Sequence, residues 1–200
     1  MSERRELLLA AACRVIARHG VRGLRVEDVA TEAKSSTALI YYHFRDRAGL
    51  ITQTMEFVND RAEAYPRPNA GQNGYERLIN RMISEFQDDV EVRENSAVWG
   101  EIRSAAVFDA SLRPIVAAAT ETWNSDLANW IREGQADGSI PEDITPDDVA
   151  LRLTALVEGL SNRWLSGLIG LDEAHRQVTA AVDLELRIAN ARDGLAANRR

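Results

Sequence analysis

The sequence predicts an all-α protein of about nine helices. Apolar residues recur at spacings of three and four through nearly every segment, which is the period of an amphipathic helix. No segment alternates apolar and polar residues between hairpin turns, as half-buried strands do. Glycines, prolines and capping side chains fall where helices of ordinary length would start and stop. A chain of 200 residues is long enough to bury a core without covalent staples.

A first helix is expected over residues 4–19, stopped by Gly20. A short helix over 26–33 follows, with Val26, Val29, Ala30 and Ala33 on one face. The polar break Lys34-Ser35-Ser36 leads into a third helix over 37–44, and Asp46 is placed to cap a fourth over 47–64. Pro66, Pro68, Gly71 and Gly74 mark a loop. Further helices are expected over 75–87, 92–108 and 112–137, the last ended by Gly134, Gly138 and Pro141. Thr145-Pro146-Asp147-Asp148 is a start signal, with a cap, a first-turn proline and acids at the positive helix end. The helix behind it runs to about 168, a last one covers 171–191, and 192–200 reads as a frayed tail.

Composition narrows the function. One cysteine, Cys13, excludes an internal disulfide framework and a cysteine zinc site, and three scattered histidines form no metal cluster. No metal and no cofactor are expected. Leu7 to Ala12 ahead of Cys13 imitates a lipidated signal peptide, but the apolar run is too short and its flank holds two glutamates. No run reaches the roughly 18 apolar residues of a membrane span. A cytoplasmic protein without a membrane partner is therefore expected. Net charge is −7, unevenly spread: residues 1–50 hold nine Arg/Lys against six Asp/Glu, and the remainder fifteen against twenty-five. A basic head on an acidic body suits a polyanion at one end. No nucleophile elbow, phosphate loop or paired ligand set argues for an enzyme.

Residues 26–44 carry the most information. Two short helices joined by a three-residue polar break have the dimensions of a helix-turn-helix. In the second, Ile40 and Phe44 point inward while Ala38 and Tyr42 lie on the far face, flanked by Leu39 and Tyr41. Such a helix can enter a major groove. Thr37 sits in its first turn, where amides and a hydroxyl suit phosphates.

The stretch from Gly23 to Leu50 resembles the DNA-binding head of the TetR/AcrR family of bacterial repressors. It matches the family's turn and recognition-helix pattern at Ala33, Ser36, Ile40, Tyr41, His43 and Phe44. It departs at Lys34 for the turn glycine, Ser35 for valine, Ala38 for glycine, and Arg25 where a capping Ser or Thr is usual. The resemblance implies a DNA-binding domain over residues 1–50 and a helical effector-binding and dimerisation domain over 51–191. It implies DNA contacts by Val26, Ser36, Thr37, Ala38, Leu39, Tyr41, Tyr42, His43 and Arg47. The last would meet phosphate, and the fourth helix would run from it as a lever past Met55 and Phe57.

Paired half-sites need a two-fold dimer and a palindromic operator. Leu153, Leu156, Leu160, Val178, Val182 and Leu186, on the last two helices, are either its interface or intramolecular core. Met82, Phe86, Trp99, Arg103, Trp123 and Trp164 are either the lining of a small-molecule effector pocket or core. The stretch from Trp99 through Trp164 also resembles the effector domain of the BetI-type subgroup, which includes a choline-linked repressor. Sequence alone names no effector.

Overall fold

The computed structural model describes residues 3–63, 65 and 73–188, and every regular element among them is helical. In order they are α1 (Glu3–His19), α2 (Val26–Glu32), α3 (Thr37–Phe44), α4 (Arg47–Glu63), α5 (Gly74–Ile83), α6 (Val90–Ala106), a 3-10 turn (Ala110–Leu112), α7 (Arg113–Asp137), α8 (Pro146–Leu165) and α9 (Leu171–Glu185). The expected tail at 192–200 lies outside the described residues. The chain forms two compact units: Met1–Tyr65 with Asp88–Glu121, and Pro66–Gln87 with Thr122–Arg200.

In the first unit α1 packs against α2, α4 and α6. Leu8, Leu9, Ala11, Ala12, Cys13, Val15 and Ile16 are all buried, so α1 is apolar over more than one face. Phe44, Leu50, Ile51, Met55 and Val58 from α3 and α4, and Val98 and Ile102 from α6, complete this core. Each such large side chain contributes about 1.5–3 kcal/mol on leaving water. Because α4 and α6 both lie on α1, the unit extends past the 1–50 segment read from the sequence. Periodicity reveals that a helix has an apolar face but not which helix covers it. Burial pushes the Cys13 thiol up to about 12, against the opposing pull of Arg61. On the surface of this unit Glu32 of α2 accepts from Arg14 Nε at 2.6 Å and from Arg18, both on α1.

In the second unit α9 packs on α5 and α8. A Cβ added at Gly74 would stand 2.3 Å from the Gly134 backbone, so α5 meets α7 through two residues that lack side chains. Gly74 N donates to Asp137 Oδ2 at 2.6 Å, and the Tyr75 hydroxyl donates to the buried Asp183 at 2.6 Å. Burial first, then that bond, pushes the Tyr75 hydroxyl well above its ordinary pKa. Arg152 on α8 forks onto Glu185 of α9, with its nearest bond at 2.6 Å.

Several helix ends differ from the sequence reading. Asn73 caps α5 and Asp89 caps α6, so both begin one or two residues early. α5 stops at Ile83, where the Ser84 hydroxyl donates back to the Arg81 carbonyl at 2.7 Å. Thr145 makes no side-chain cap bond, leaving Pro146 to start α8. α8 ends at Leu165, ahead of Gly167 at φ +74°. α9 ends at Glu185, six residues short of the expected 191. There Arg187 turns left-handed at φ +54°, and Ile188 N donates to Asp183 O at 2.9 Å, closing a Schellman motif.

Candidate nucleic-acid interface

The helix-turn-helix is built from its turn outward. After α2, Ser35 N donates to Ala30 O at 2.8 Å and Lys34 N to Thr31 O at 3.1 Å, the paired bonds of a Schellman motif. That motif needs a left-handed residue, and Lys34 supplies it at φ +48°. The Ser35 hydroxyl is buried here without a hydrogen-bond partner. Ser36 then caps α3, its hydroxyl accepting from Leu39 N at 3.2 Å.

α3 presents two faces. Ile40 and Phe44 are fully buried, with the Arg5 guanidinium over the Phe44 ring at 6.0 Å. On the other side Tyr42 is 80 % exposed and Tyr41 48 %, and Ala38 and Ser36 are exposed as well. Thr37, Leu39 and His43 are half-buried, and the His43 ring meets the Tyr42 ring edge-on at 5.1 Å. Of the nine residues assigned to DNA, Ser36, Ala38, Tyr41 and Tyr42 are thus exposed, while Thr37, Leu39 and His43 are half-buried and Leu39 packs partly against the core.

The other two stand apart. Val26 is buried, so its side chain belongs to the core. Arg47 donates Nε to Leu24 O at 2.9 Å and Nη2 to Val21 O. Its guanidinium thus ties the start of α4 to the loop before α2, where sequence reading expected a phosphate contact. A guanidinium can donate to backbone carbonyls as well as to phosphates, and spacing does not tell them apart.

The link from α3 to α4 is tight. Arg45 sits at φ +69°, ψ −55°, and Asp46 N donates to Phe44 O at 2.8 Å, which makes a γ-turn of the strained, positive-φ kind. Asp46 Oδ1 accepts from Gly49 N at 2.7 Å, the cap read from the sequence. A Cβ on Gly49 would fall 2.2 Å from Phe44 O, so glycine is what lets α4 begin this close to the end of α3.

The proposed pocket residues divide between the two units. Trp99 and Arg103 lie on α6 in the first unit and stack on each other, guanidinium to ring centroid 5.2 Å. Met82, Phe86 and Trp164 are buried in the second unit, with Phe86 and Trp164 edge-to-face at 5.7 Å, and Trp123 is half-buried. Of the proposed interface residues, Leu153, Leu160, Val178, Val182 and Leu186 are buried within the single chain and belong to its core. Leu156 alone is half-buried. The large exposed apolar residues of α8 and α9 are Leu151 and Leu184, which the sequence reading did not single out.

Known proteins agree with this geometry. Residues 8–54 match the family model described as bacterial regulatory proteins of the tetR family, and residues 76–187 match the BetI-type transcriptional repressor C-terminal model. A crystal structure of a TetR-family transcriptional regulator from Rhodococcus sp. is 43 % identical, with a TM-score of 0.88 over 93 % of this chain and 100 % of that one. A transcriptional regulator from Saccharomonospora viridis, solved in complex with choline, is 27 % identical with a TM-score of 0.73, covering 90 % of this chain and 95 % of that one. The HTH-type regulator BetI of Agrobacterium fabrum is 27 % identical over 191 residues, 92 % of this chain and 88 % of that protein. With its head matched on the residues that build the turn and its C-terminal model covering more than half of its length, this chain belongs to the TetR family of DNA-binding bacterial transcriptional regulators.

Proposed function

We propose that the protein is a homodimeric repressor that holds a palindromic operator through α3 and releases it when a small-molecule effector binds. The observation that carries the reading is the division of α3, with Ile40 and Phe44 sealed in the core and Ala38, Tyr41 and Tyr42 presented outward. Thr37, Ala38 and Leu39 meet base edges, while Ser36, Tyr41, Tyr42 and His43 meet mainly the backbone. Two copies pair through α8 and α9, using Leu151 and Leu184 as the apolar contacts. The complex acts in the cytoplasm. Among the described residues, no helix is long and apolar enough to cross a membrane.

Release is a shift between two dimer states, one fitting DNA and one not. An effector that moves the balance from 1:99 to 99:1 prefers the second state by about 10⁴-fold, roughly 5.5 kcal/mol. The choline complex of the Saccharomonospora viridis regulator makes choline the first compound to try.

Genomic fragments retained by the purified protein at fixed, near-physiological salt, then sequenced, test the reading beside a Thr37→Ala/Tyr42→Ala variant. Salt is fixed because the phosphate contribution alone moves affinity by orders of magnitude. One palindrome enriched by the parent and lost in the variant is expected. No enrichment, or equal retention by the variant, defeats the assignment of α3.

A further inference from the structure

Among the described residues, three that are not glycine hold a positive φ: Lys34 at +48°, Arg45 at +69° and Arg187 at +54°. All three are cations in a backbone region that costs an L-residue free energy glycine does not incur. Arg187 has an evident reason for its side chain, since its guanidinium pairs with Asp143. Lys34 and Arg45 differ. Both are exposed, and neither side chain has an intramolecular partner among the described residues. Strain retained without internal compensation points to use by something outside the chain.

Their placement says what that is. Lys34 lies two residues before the Ser36 cap of α3, and Arg45 is its C-terminal cap. The eight residues of α3 span about 12 Å, close to the roughly 12 Å width of a major groove. Cations at the two ends of such a helix stay within reach of the phosphates that line the groove. Arg47, the cation expected to do this, is bonded to the carbonyls of Val21 and Leu24. We infer that Lys34 and Arg45 bracket the recognition helix as DNA-phosphate contacts. This rests on the DNA-binding reading above and adds two residues to it. The contacts are sequence-independent: they set affinity, register and salt dependence, while α3 reads the bases.

The test uses the full chain, a mixed-sequence duplex of about 30 base pairs, and fluorescence anisotropy between about 50 and 200 mM NaCl. Each phosphate contact contributes about 0.9 to the slope of log K against log salt. In a dimer, Lys34→Gly and Arg45→Gly each lower that slope by about two, and the pair by about four. Relief of the left-handed strain raises the melting temperature of each variant by roughly 2–4 °C. Lys34→Arg, Arg45→Lys and Arg163→Gln (an exposed cation on α8) keep the parental slope. A parental slope in the glycine variants overturns the inference and leaves the DNA-binding reading standing. A fall in melting temperature overturns it too, by showing that the side chains serve the fold. Failure of the parent to bind the duplex even at the lowest salt defeats both.

Discussion

The Ser35 hydroxyl is the one polar group of the turn that is buried without a partner. Leaving a buried hydroxyl unsatisfied costs about 1–3 kcal/mol, and an aliphatic side chain there removes the penalty. Ser35→Val is expected to raise stability by about 1 kcal/mol, read as a higher urea midpoint at unchanged slope. An unchanged or lower midpoint would show that the site has no room for the added methyl groups. Residue by residue, the head was the most legible part of the sequence. The inward and outward sides of α3 follow from a four-residue spacing, and the Asp46 cap from its place before an apolar run. The bonds of Arg47 to the Val21 and Leu24 carbonyls were not legible, because no sequence pattern marks a backbone carbonyl as a partner. Lys34 registered only as a departure from glycine, because the sequence gives no φ.

At the scale of elements, the α1–α2 junction is fastened by Glu32 with Arg14 and Arg18. Their hydrogen bonds, that from Arg14 foremost, hold the Glu32 carboxyl below the ordinary glutamate value. A carboxyl whose pKa is lower folded than unfolded adds stability that is fully present above the unfolded value. That stability is lost as pH falls through the folded one. The protein is therefore expected to weaken as pH drops below the ordinary glutamate range, with Glu32→Gln flattening that part of the profile. Glu94, raised chiefly by burial, acts in the opposite sense, so the comparison with Glu32→Gln isolates the pair. The effect is small, since the cluster is largely solvated. Urea midpoints from neutral pH to about pH 3 read it, and parallel profiles for parent and variant would refute it. Helix existence and order were legible throughout, whereas ends were legible only where one residue decides them. α3 came out as read, but α9 ends in a Schellman motif at Arg187, a cation no stop rule names.

For the whole molecule, the question is which apolar surface is left for a second copy. The widest stripes of α8 and α9 mark core, because a helix covers its broadest apolar face with its own chain first. Leu151 and Leu184 remain outside, and the Arg152–Glu185 fork joins the residues beside them on α8 and α9. Leu151→Glu with Leu184→Glu is expected to convert a dimer to monomers in sedimentation, with the helical circular dichroism retained. A variant still dimeric at micromolar concentration would move the interface elsewhere. Neither the interface nor an effector pocket was legible in the sequence, since both are choices among apolar residues that share one periodicity.

Cys13 gives this molecule a built-in clock. It is the only cysteine of the chain, fully buried in α1, with a thiol held near 12 by its surroundings. Thiol reagents attack the thiolate, so the folded state is nearly inert to them. Labelling then proceeds only through molecules whose first unit has opened, at a rate set by how often it opens. The modification rate, followed by mass with and without operator duplex, reports the cohesion of the DNA-binding head directly and without any engineered probe.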